Sequence, residues 1–337
     1  MLPLVSVTIV TYNSRRYIGR CLEAALAQEY PQLEIIVVDN ASQDGTGEAL
    51  EEYEGRVTVI RNETNSGFAA AQNQAIAASS GDWVLTLNPD VLLQPGFIAN
   101  LVVAAQTDAR TGTVCGKLLR IGANFVFQHD RRLDSTGLYF TPNLRHFDRG
   151  WNEPDDGRYS SPEFVFGASA AAALYRREMI EDVSIGGEFF DPDFFAYRED
   201  ADVAWRAQLL GWRCLYTPDA YAYHVRSVTA ASRRGVSALI NMHSVKNRFL
   251  MRIKNMTADL YRRHGWSILG RDVVVVAGCL LSEPGSLPAF WRLAGCWRSA
   301  WHKRREIFAR RRVTDEYLTS WFQQEPVAKP APQLVLH

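Results

Sequence analysis

The chain has 337 residues, of which 47% are hydrophobic and 22% are charged, and its formal net charge is +0. These values are ordinary for a globular protein with one large or two ordinary domains. The five cysteines are scattered and include no CxxC pair, which argues against a disulfide framework and a zinc site and favours a reducing cytoplasm.

Strand and helix patterns alternate through the first third of the chain. Short apolar or β-branched runs predict strands at residues 5–10, 34–39, 57–60 and 83–87, and helical patterns cover residues 17–27, 47–53, 68–78 and 95–106. This alternation predicts an open α/β sheet, which binds ligands at the carboxyl ends of its strands. Because the first strand begins at Val5, we expect no signal peptide before the fold.

The second half of the chain is less regular. Residues 114–163 predict only short strands and loops, and the small, apolar segment 164–175 favours one buried strand. A helix is predicted at residues 200–210, followed by short strands at 213–217 and 220–224 and by a helix at 236–254. Further helical patterns extend towards the end of the chain.

The late region is basic and rich in tryptophan. Residues 261–312 contain eleven Lys and Arg against three Asp and Glu, a local charge of +8, and five of the nine tryptophans lie between residues 266 and 321. Such helices can lie in a membrane interface or bind single-stranded nucleic acid, and a helical pair packed on the main domain explains them equally well. The longest apolar run there, residues 273–281, is shorter than the roughly 20 residues that span a bilayer.

Carboxylates stand at three informative places. Asp39 ends the second predicted strand. Asp90 follows the fourth predicted strand, as the last residue of Asn88-Pro89-Asp90. Glu199 and Asp200 begin a predicted helix after an aromatic cluster. Each has a plain structural explanation, as a turn residue or a helix N-terminus. Their joint placement favours one cleft, where Asp90 would bind a hard cation and a carboxylate beside apolar rings would act as a general base.

Two nucleotide-binding motifs can be set aside. The chain has no GxxxxGK[ST] sequence, which argues against a P-loop enzyme. Gly45-Thr46-Gly47 lacks the third glycine of a dinucleotide fingerprint and follows the second strand instead of the first.

His224 lies at the end of a predicted strand. A structural role and a role as a metal ligand explain this position equally well.

Taken together, these motifs resemble those of the family-2 inverting glycosyltransferases, and among them the rhamnosyltransferase-like group. The resemblance covers roughly residues 4–230. The matching segments are VTIVTYNS (7–14), VVDNASQDGT (37–46), NSGFA (65–69) with Asn73, LNPDV (87–91), Gly186-Gly187 through FFAYREDAD (194–202), Trp205-Arg206, Gly211-Trp212 and His224.

The resemblance implies a GT-A fold, an open, mostly parallel Rossmann-like sheet flanked by helices. Residues 1–230 would form the glycosyltransferase domain, with a nucleotide-sugar-binding half at 1–112 and an acceptor and catalytic half at 113–230. A helical, basic, tryptophan-rich region at 231–325 would follow, with a possible role in membrane association, and we expect a flexible tail at 326–337.

The resemblance also implies roles for individual residues. Asp200, in preference to Glu199, would deprotonate the acceptor hydroxyl. Asp90 together with His224 would bind Mg²⁺ or Mn²⁺. Asn88 replaces the first Asp of the usual Asp-x-Asp, a form that the rhamnosyl-like group shares. The donor would be held by Thr11, Tyr12, Asn13, Asp39, Asn40, Ser42, Asp44, Asn65, Gly67, Phe68, Asn73 and Asn88.

The implied activity is transfer of a sugar, with L-rhamnose from dTDP-rhamnose favoured, to a glycan or a polyprenyl-diphosphate-linked sugar in cell-wall or surface-polysaccharide assembly. The enzyme would be cytoplasmic and peripheral on the inner face of the cell membrane, without a nucleic-acid partner. A UDP-hexose-dependent transferase and a non-catalytic nucleotide-sugar-binding membrane protein remain alternatives.

A sugar-1-phosphate nucleotidyltransferase would need a Gly-rich, Arg-containing loop after the first strand, where this chain has Thr11-Tyr12-Asn13-Ser14. The sequence does not fix the oligomeric state.

Overall fold

A computed structural model of the chain describes residues 2–127, 129–226 and 238–330. Within them, strands and helices alternate through the first third of the chain, as predicted. These elements are β1 (Val5–Thr11), α1 (Ile18–Leu26), β2 (Leu33–Asp39), α2 (Thr46–Glu51), β3 (Thr58–Arg61), α3 (Phe68–Ala77) and β4 (Trp83–Leu87). β1 pairs in parallel with β2 and β4, so the carboxyl ends of these three strands meet at one edge of the sheet.

The middle of the chain contributes several short strands, two strands of 10 and 12 residues, and three α-helices. These elements are β5 (Val91–Leu93), α4 (Phe97–Ala105), β6 (Thr111–Arg120), β7 (Leu133–Ser135), β8 (Leu138–Phe140), β9 (His146–Asp148), β10 (Glu163–Val165), β11 (Ala172–Arg176), α5 (Arg177–Val183), α6 (Glu199–Leu209) and β12 (Arg213–His224). The two short strands predicted at residues 213–224 are one strand, β12, with an irregularity between Tyr216 and Tyr221.

The C-terminal part of the described chain is helical. Its elements are α7 (Ala238–Asn255), α8 (Ala258–Leu281), α9 (Pro288–Gly295), α10 (Trp297–Ala309), α11 (Asp315–Thr319) and the short strand β13 (Lys329–Pro330). The first two residues of the helix predicted at 236–254 lie outside the described residues.

Eleven of the described strands form one sheet. Its order is β13-β10-β12-β6-β11-β4-β1-β2-β3, with β5 beside β12 and β7 beside β6. β11 runs antiparallel to both β4 and β6, whereas β6 and β12 are parallel. All seven residues of β1 are buried, as expected for a central strand covered on both faces. The predicted α/β class, a mostly parallel sheet flanked by helices with a helical C-terminal region, is confirmed.

The segment 164–175 is wrongly predicted as one strand. It forms β10 and β11, which lie apart in the sheet because β10 pairs with β12 and β11 lies between β4 and β6. Between them the backbone approaches α6 so closely that a Cβ on Gly167 would lie 2.2 Å from Cβ of Ala204. The small residues of this segment therefore serve close packing against a helix.

The helices beyond residue 230 share a core with the main domain. Nζ of Lys254 in α7 lies 2.8 Å from Asp202 of α6 and 2.6 Å from Asp191, and Nζ of Lys303 in α10 also lies 2.6 Å from Asp191. Asp202 also pairs with Arg206, one helical turn later in α6, and this pair is almost fully buried. The boundary predicted between residues 230 and 231 lies outside the described residues, and the helices after it pack as an integral part of the fold.

Two expectations about the C-terminal part need correction. β13 pairs with β10, so the tail predicted from residue 326 begins too early, and residues 331–337 lie outside the described part. The nine-residue apolar run belongs to the 24-residue helix α8. Among the described helices α8 alone is long and apolar enough to cross a membrane by length and composition.

Candidate active site

A strand pair brings together the two predicted metal ligands, Asp90 and His224. β5 begins directly after Asp90 and pairs with the end of β12, so Val91 lies opposite His224. The backbone N–H of Val225 donates a hydrogen bond of 3.0 Å to the carbonyl oxygen of Asp90. As a result, Nε2 of His224 lies 3.5 Å from Oδ1 of Asp90.

A buried carboxylate that the sequence did not reveal fixes the other ring nitrogen of His224. Nδ1 of His224 lies 2.7 Å from Oδ2 of Asp134, which is 1% exposed. Burial lowers the pKa of His224, but Asp134 and Asp90 together outweigh it and raise this pKa to about 10. The site therefore favours positive charge, as a proton or as a bound cation.

Asp90 and His224 fit a cation that is bound together with a diphosphate. Metal-ligating histidines usually have their second ring nitrogen hydrogen-bonded to a carboxylate, as Asp134 is placed to do here. The described residues contain no group of three or more His, Cys, Asp or Glu side chains that could hold a metal ion by themselves. Mg²⁺ commonly uses one or two carboxylates and takes its other ligands from water and substrate phosphates.

The same cavity contains the predicted catalytic carboxylates. It has a volume of about 640 Å³ and is lined by Asp90 and His224 together with Glu199 and Asp200. Two residues predicted to bind the donor, Phe68 and Asn88, also line it. Five arginines contribute to its wall, namely Arg145, Arg198, Arg226, Arg248 and Arg271.

Glu199 and Asp200 stand at the N-terminus of α6, in different environments. Asp200 is partly exposed and accepts a 2.7 Å hydrogen bond from the backbone N–H of Ala201. Burial, and then the charge of Asp148, raise the pKa of Asp200 to about 6. Glu199 is 8% exposed, and burial together with the Asp200 charge raises its pKa well above the ordinary range. At neutral pH Asp200 is therefore ionised and can accept a proton, whereas Glu199 retains its own.

A strained loop leads into these carboxylates. Phe195, Tyr197 and Arg198 all have positive φ, at 66°, 71° and 71°. Such angles are unfavourable for residues other than glycine and persist only where the surroundings enforce them. The side-chain amide of Asn247 in α7 donates hydrogen bonds to the carbonyl oxygens of Phe194, Ala196 and Tyr197, at 2.9, 2.8 and 2.8 Å.

Two more charged residues at the cavity were not predicted. Arg226, two residues after His224, lies 3.0 Å from Asp134 and 2.5 Å from Asp148. Asp148 is the carboxylate whose charge raises the pKa of Asp200. The His224-Val225-Arg226 spacing was the only local signal for Arg226, whereas Asp134 and Asp148 lie in the region that the sequence left unordered.

The predicted donor residues after β1 and β2 join two loops to each other. The backbone N–H of Asn13 donates to Oγ of Ser42 over 2.9 Å, and Oδ1 of Asn13 accepts from the backbone N–H of Gln43 over 2.8 Å. Asp44 accepts from the backbone N–H of Arg15, and Asp39 accepts from that of Ser42. These side chains set the shape of the sheet edge where a nucleoside would bind.

Thr11 and Tyr12 differ in accessibility. The side chain of Thr11 is fully buried, so it lies out of reach of a ligand. Tyr12 is 49% exposed beside the two joined loops and presents a ring for a base or a sugar.

A second set of predicted donor residues supports the loop before α3. Asn40 is 1% exposed, and its amide donates to Oδ1 of Asn65 over 2.9 Å. Gly67 has φ of 85°, and a Cβ there would lie 2.5 Å from the ring of Phe195. Asn73 exchanges two hydrogen bonds with the backbone of Phe190 and lines a separate surface groove. The structure thus gives these residues positioning roles and leaves Phe68 at the cavity.

The sequence of the chain is similar to those of known proteins. The family model described as Glycosyl transferase family 2 matches residues 6–184. An N-acetylglucosaminyl-diphospho-decaprenol L-rhamnosyltransferase of Mycobacterium tuberculosis is 30% identical over 241 residues, which cover 66% of this chain and 76% of that protein.

Solved structures share the fold at low sequence identity. S. aureus TarS 1-349 in complex with UDP-GlcNAc has a TM-score of 0.57 at 20% identity, covering 94% of this chain and 90% of that one. GalNAc-T7 with UDP, GalNAc and Mn²⁺ has a TM-score of 0.59 at 19% identity, covering 75% of this chain and 48% of that one. The chain thus spans about half of GalNAc-T7, and the GT-A fold is confirmed.

Proposed function

The chain belongs to glycosyltransferase family 2, and from this premise we propose that it transfers a sugar, with inversion, from a nucleotide diphosphate donor to a hydroxyl of a lipid-linked or glycan acceptor. One observation carries the proposal: an ionised Asp200 and the Asp90–His224 pair face the same cavity. A single base then suffices, because the acceptor oxygen displaces the diphosphate directly.

Asp200 performs the proton transfer in this proposal. Its carboxylate accepts the proton of the acceptor hydroxyl as that oxygen forms a bond to the anomeric carbon of the donor sugar. The bond from this carbon to the diphosphate breaks on the opposite face, so the configuration inverts. The hydrogen bond from Ala201 and the strained loop before α6 hold the carboxylate in place.

Asp90 and His224 would hold a divalent cation, Mg²⁺ or Mn²⁺. When bound, such a cation neutralises charge on the leaving diphosphate. Asp134 orients His224 for this purpose, and Asn88, which replaces a second carboxylate, lines the cavity. With one fewer negative charge than Asp-x-Asp, the empty site should bind the cation more weakly than the site containing the donor.

We further infer that the donor is dTDP-L-rhamnose. The support is the 30% identity to the Mycobacterium rhamnosyltransferase and the Asn88-Pro89-Asp90 form of the metal motif. The acceptor would be a sugar on a polyprenyl diphosphate, and the enzyme would work in cell-wall or surface-polysaccharide assembly on the inner face of the cytoplasmic membrane.

An exposed apolar surface supports the lipid-linked acceptor. One face of α8 exposes apolar side chains at helical spacing, and α9 and α10 add tryptophans. We call this set the apolar face; it comprises Trp266, Leu269, Val273, Val274, Leu280, Leu281, Trp291, Trp297 and Trp301. Trp266, Leu281 and Trp291 are 88%, 84% and 83% exposed. Exposed arginines at 262, 292, 298 and 305 flank the apolar face and suit an anionic bilayer.

This orientation is interfacial and not transmembrane. Arg271 and Asp272 lie near the middle of α8, and Asp272 accepts hydrogen bonds from Arg252 of α7 at 2.6 and 2.8 Å. If α8 crossed the bilayer, the ion pair between Arg252 and Asp272 would break. The charges of Arg271 and Asp272 would then lie near the bilayer centre, at a cost of about 2.5–3.5 kcal/mol each. A helix that lies flat inserts its apolar face and keeps the charged face on the protein.

Two measurements test the proposed activity: donor binding by the wild type, and turnover by the variant Asp200→Asn. A thermal-shift screen with Mg²⁺ should favour dTDP-rhamnose over UDP-hexoses and GDP-mannose. With the donor that binds best, Asp200→Asn should lower kcat by about 10²–10⁴-fold, because the base is lost, while the donor-induced shift is retained.

A matched variant assigns the base. Glu199→Gln replaces a carboxyl that is already neutral, so its effect on kcat should be much smaller than that of Asp200→Asn. Equal turnover in Asp200→Asn and the wild type would remove Asp200 from the mechanism. Donor binding without any turnover in the wild type would favour a non-catalytic nucleotide-sugar-binding protein.

A further inference from the structure

The arginines at the cavity are more numerous than the donor chemistry requires. Arg226 is already paired with Asp134 and Asp148. Arg248 of α7 and Arg271 of α8 come from the C-terminal helices, beyond the family-model match at residues 6–184. They line the same cavity as Asp90 and Asp200 and have no part in the mechanism derived above.

Arg248 is a buried cation whose nearest acid is shared. It is 3% exposed, and its Nε has no hydrogen-bond partner among the described residues. Asp272 lies 3.5 Å from Arg248 but 2.6 Å from Arg252, so this carboxylate neutralises at most one of the two guanidinium groups. Burial lowers the pKa of Arg248 to about 10, and the charges of Arg252 and Arg271 contribute to this.

Other groups at this wall report the same surplus of positive charge. Nε of Arg271 is buried and has no hydrogen-bond partner in the part of the chain that the structure describes. His146 is kept neutral because burial lowers its pKa and four arginines lower it further, at positions 198, 248, 145 and 226. Buried cations that lack a matched carboxylate favour an anionic ligand, and guanidinium groups match phosphate oxygens well.

The position of Arg271 indicates what kind of anion this is. Arg271 lines the cavity, while its neighbours on α8, Leu269, Val273 and Val274, are 52%, 60% and 56% exposed on the apolar face. One helix therefore presents a cation to the cavity and a hydrocarbon surface outside it. An amphiphile with an anionic group beside its apolar chain matches both features.

We propose that Arg248 and Arg271 form a subsite for the diphosphate of the acceptor, a sugar joined through diphosphate to a polyprenyl chain that lies along the exposed face of α8. This proposal rests on the proposed function, since it identifies the substrate that brings the hydroxyl to Asp200. It separates two anion sites in one cavity, with the donor diphosphate at Asp90 and His224 and the acceptor diphosphate at the two arginines.

The test measures binding of farnesyl diphosphate to the full chain by titration calorimetry. Arg271→Gln should weaken this binding at least tenfold, and Arg248→Gln provides a second variant whose folding is checked by its Tm. Arg56→Gln is the matched control, because Arg56 is an exposed arginine before β3, outside the C-terminal helices, and should bind like the wild type. Farnesol should bind the wild type at least tenfold more weakly than farnesyl diphosphate.

Two further arms identify the site. The thermal shift with the nucleotide-sugar donor should survive in Arg271→Gln, whereas its loss would place the arginine in the donor site and overturn the proposal. Binding to phosphatidylglycerol vesicles should be the same in Arg271→Gln and Arg56→Gln, and a loss confined to Arg271→Gln would assign the arginine to a lipid headgroup instead.

Different results would overturn the arginine subsite and the proposed function on which it rests. Equal farnesyl diphosphate binding by Arg271→Gln and Arg56→Gln would overturn the subsite even if donor binding and turnover are normal. A wild type that binds no nucleotide sugar would overturn the proposed function, while selective farnesyl diphosphate binding would still support the subsite.

Discussion

Asp200 and Glu199 are neighbours in the chain, yet they differ in protonation because their surroundings differ. Glu199 is buried under the strained loop, with Oε2 lacking a hydrogen-bond partner among the described residues, and holds a proton. Asp200 opens to the cavity and titrates at about 6. The helix N-terminus favours the ionised form of both carboxyl groups, so burial decides between them.

At the residue scale, this pKa predicts the pH dependence of the enzyme. Below pH 6 Asp200 is protonated and cannot accept a proton, so kcat/KM for the acceptor should fall about tenfold per pH unit and should be level above pH 7. Steady-state rates at saturating donor measure this profile.

The neighbouring carboxylate gives the matched control. Asp148→Asn removes a charge that raises the pKa of Asp200, so the midpoint of the acid limb should move to lower pH. An acid limb near pH 4 in the wild type, the ordinary range of an exposed Asp, would contradict the assignment.

At the scale of elements, α7 is a support for the catalytic loop. Its Asn247 satisfies three carbonyl oxygens of a segment with three unfavourable φ angles, and the ring of Phe195 in that segment stacks on His243 of α7 with centroids 4.7 Å apart. Gly67 is needed on the other side of this segment, because any Cβ there would meet Phe195. The loop is therefore enclosed by α3 and α7, which come from opposite ends of the chain.

Replacing the supporting amide tests this role. Asn247→Ala removes the amide that donates to three carbonyl oxygens of this loop, so we expect a loss of stability of about 1–3 kcal/mol and a lower kcat from a displaced Asp200. Urea unfolding and steady-state kinetics measure the two effects. Asn241→Ala, at a half-buried position of the same helix, serves as the control. Wild-type kcat in a folded Asn247→Ala variant would show that the loop keeps its geometry without α7.

At the scale of the whole molecule, a buried network of charges joins the C-terminal helices to the catalytic half. Asp202, Asp191, Lys254 and Lys303 link α6, α7 and α10, with separations of 2.6–2.8 Å. Because removing one partner would leave a buried charge unpaired, these helices hold fixed positions relative to the cavity. Asp272 of α8 pairs with Arg252 of α7 over 2.6 Å, so the apolar face of α8 is also fixed relative to the cavity.

Membrane binding is the prediction at this scale. The triple variant Trp266→Ser, Leu281→Ser, Trp291→Ser removes the three most exposed side chains of the apolar face and should lower cosedimentation with phosphatidylglycerol vesicles by at least tenfold. Phe127→Ser, at a 61% exposed aromatic outside the three helices, should bind vesicles like the wild type. Unchanged vesicle binding by a folded triple variant would rule out the apolar face as the docking surface.

Local patterns in the sequence determined most of the first third of the fold. Strands β1 to β4 and helices α1 to α4 follow from apolar runs, polar turns and helical periodicity, all of which depend on neighbouring residues, whereas the short strand β5 was not predicted. The same locality placed Asp39 and Asp90 at strand ends and Asp200 at the start of α6. These positions could be predicted because the end of a parallel strand is visible in the chain itself.

The tertiary structure decided which of these residues meet and what surrounds them. Asp90 faces His224 only because β5 pairs with β12, and Asp134, Asn247 and Arg271 reach the site from segments distant in sequence. The sequence left open whether the helices after residue 230 pack on the main domain, and buried ion pairs make α7 and α10 part of its core. Side-chain contacts between distant segments leave no periodic signal in the chain, since each depends on how the whole sheet and its covering helices pack.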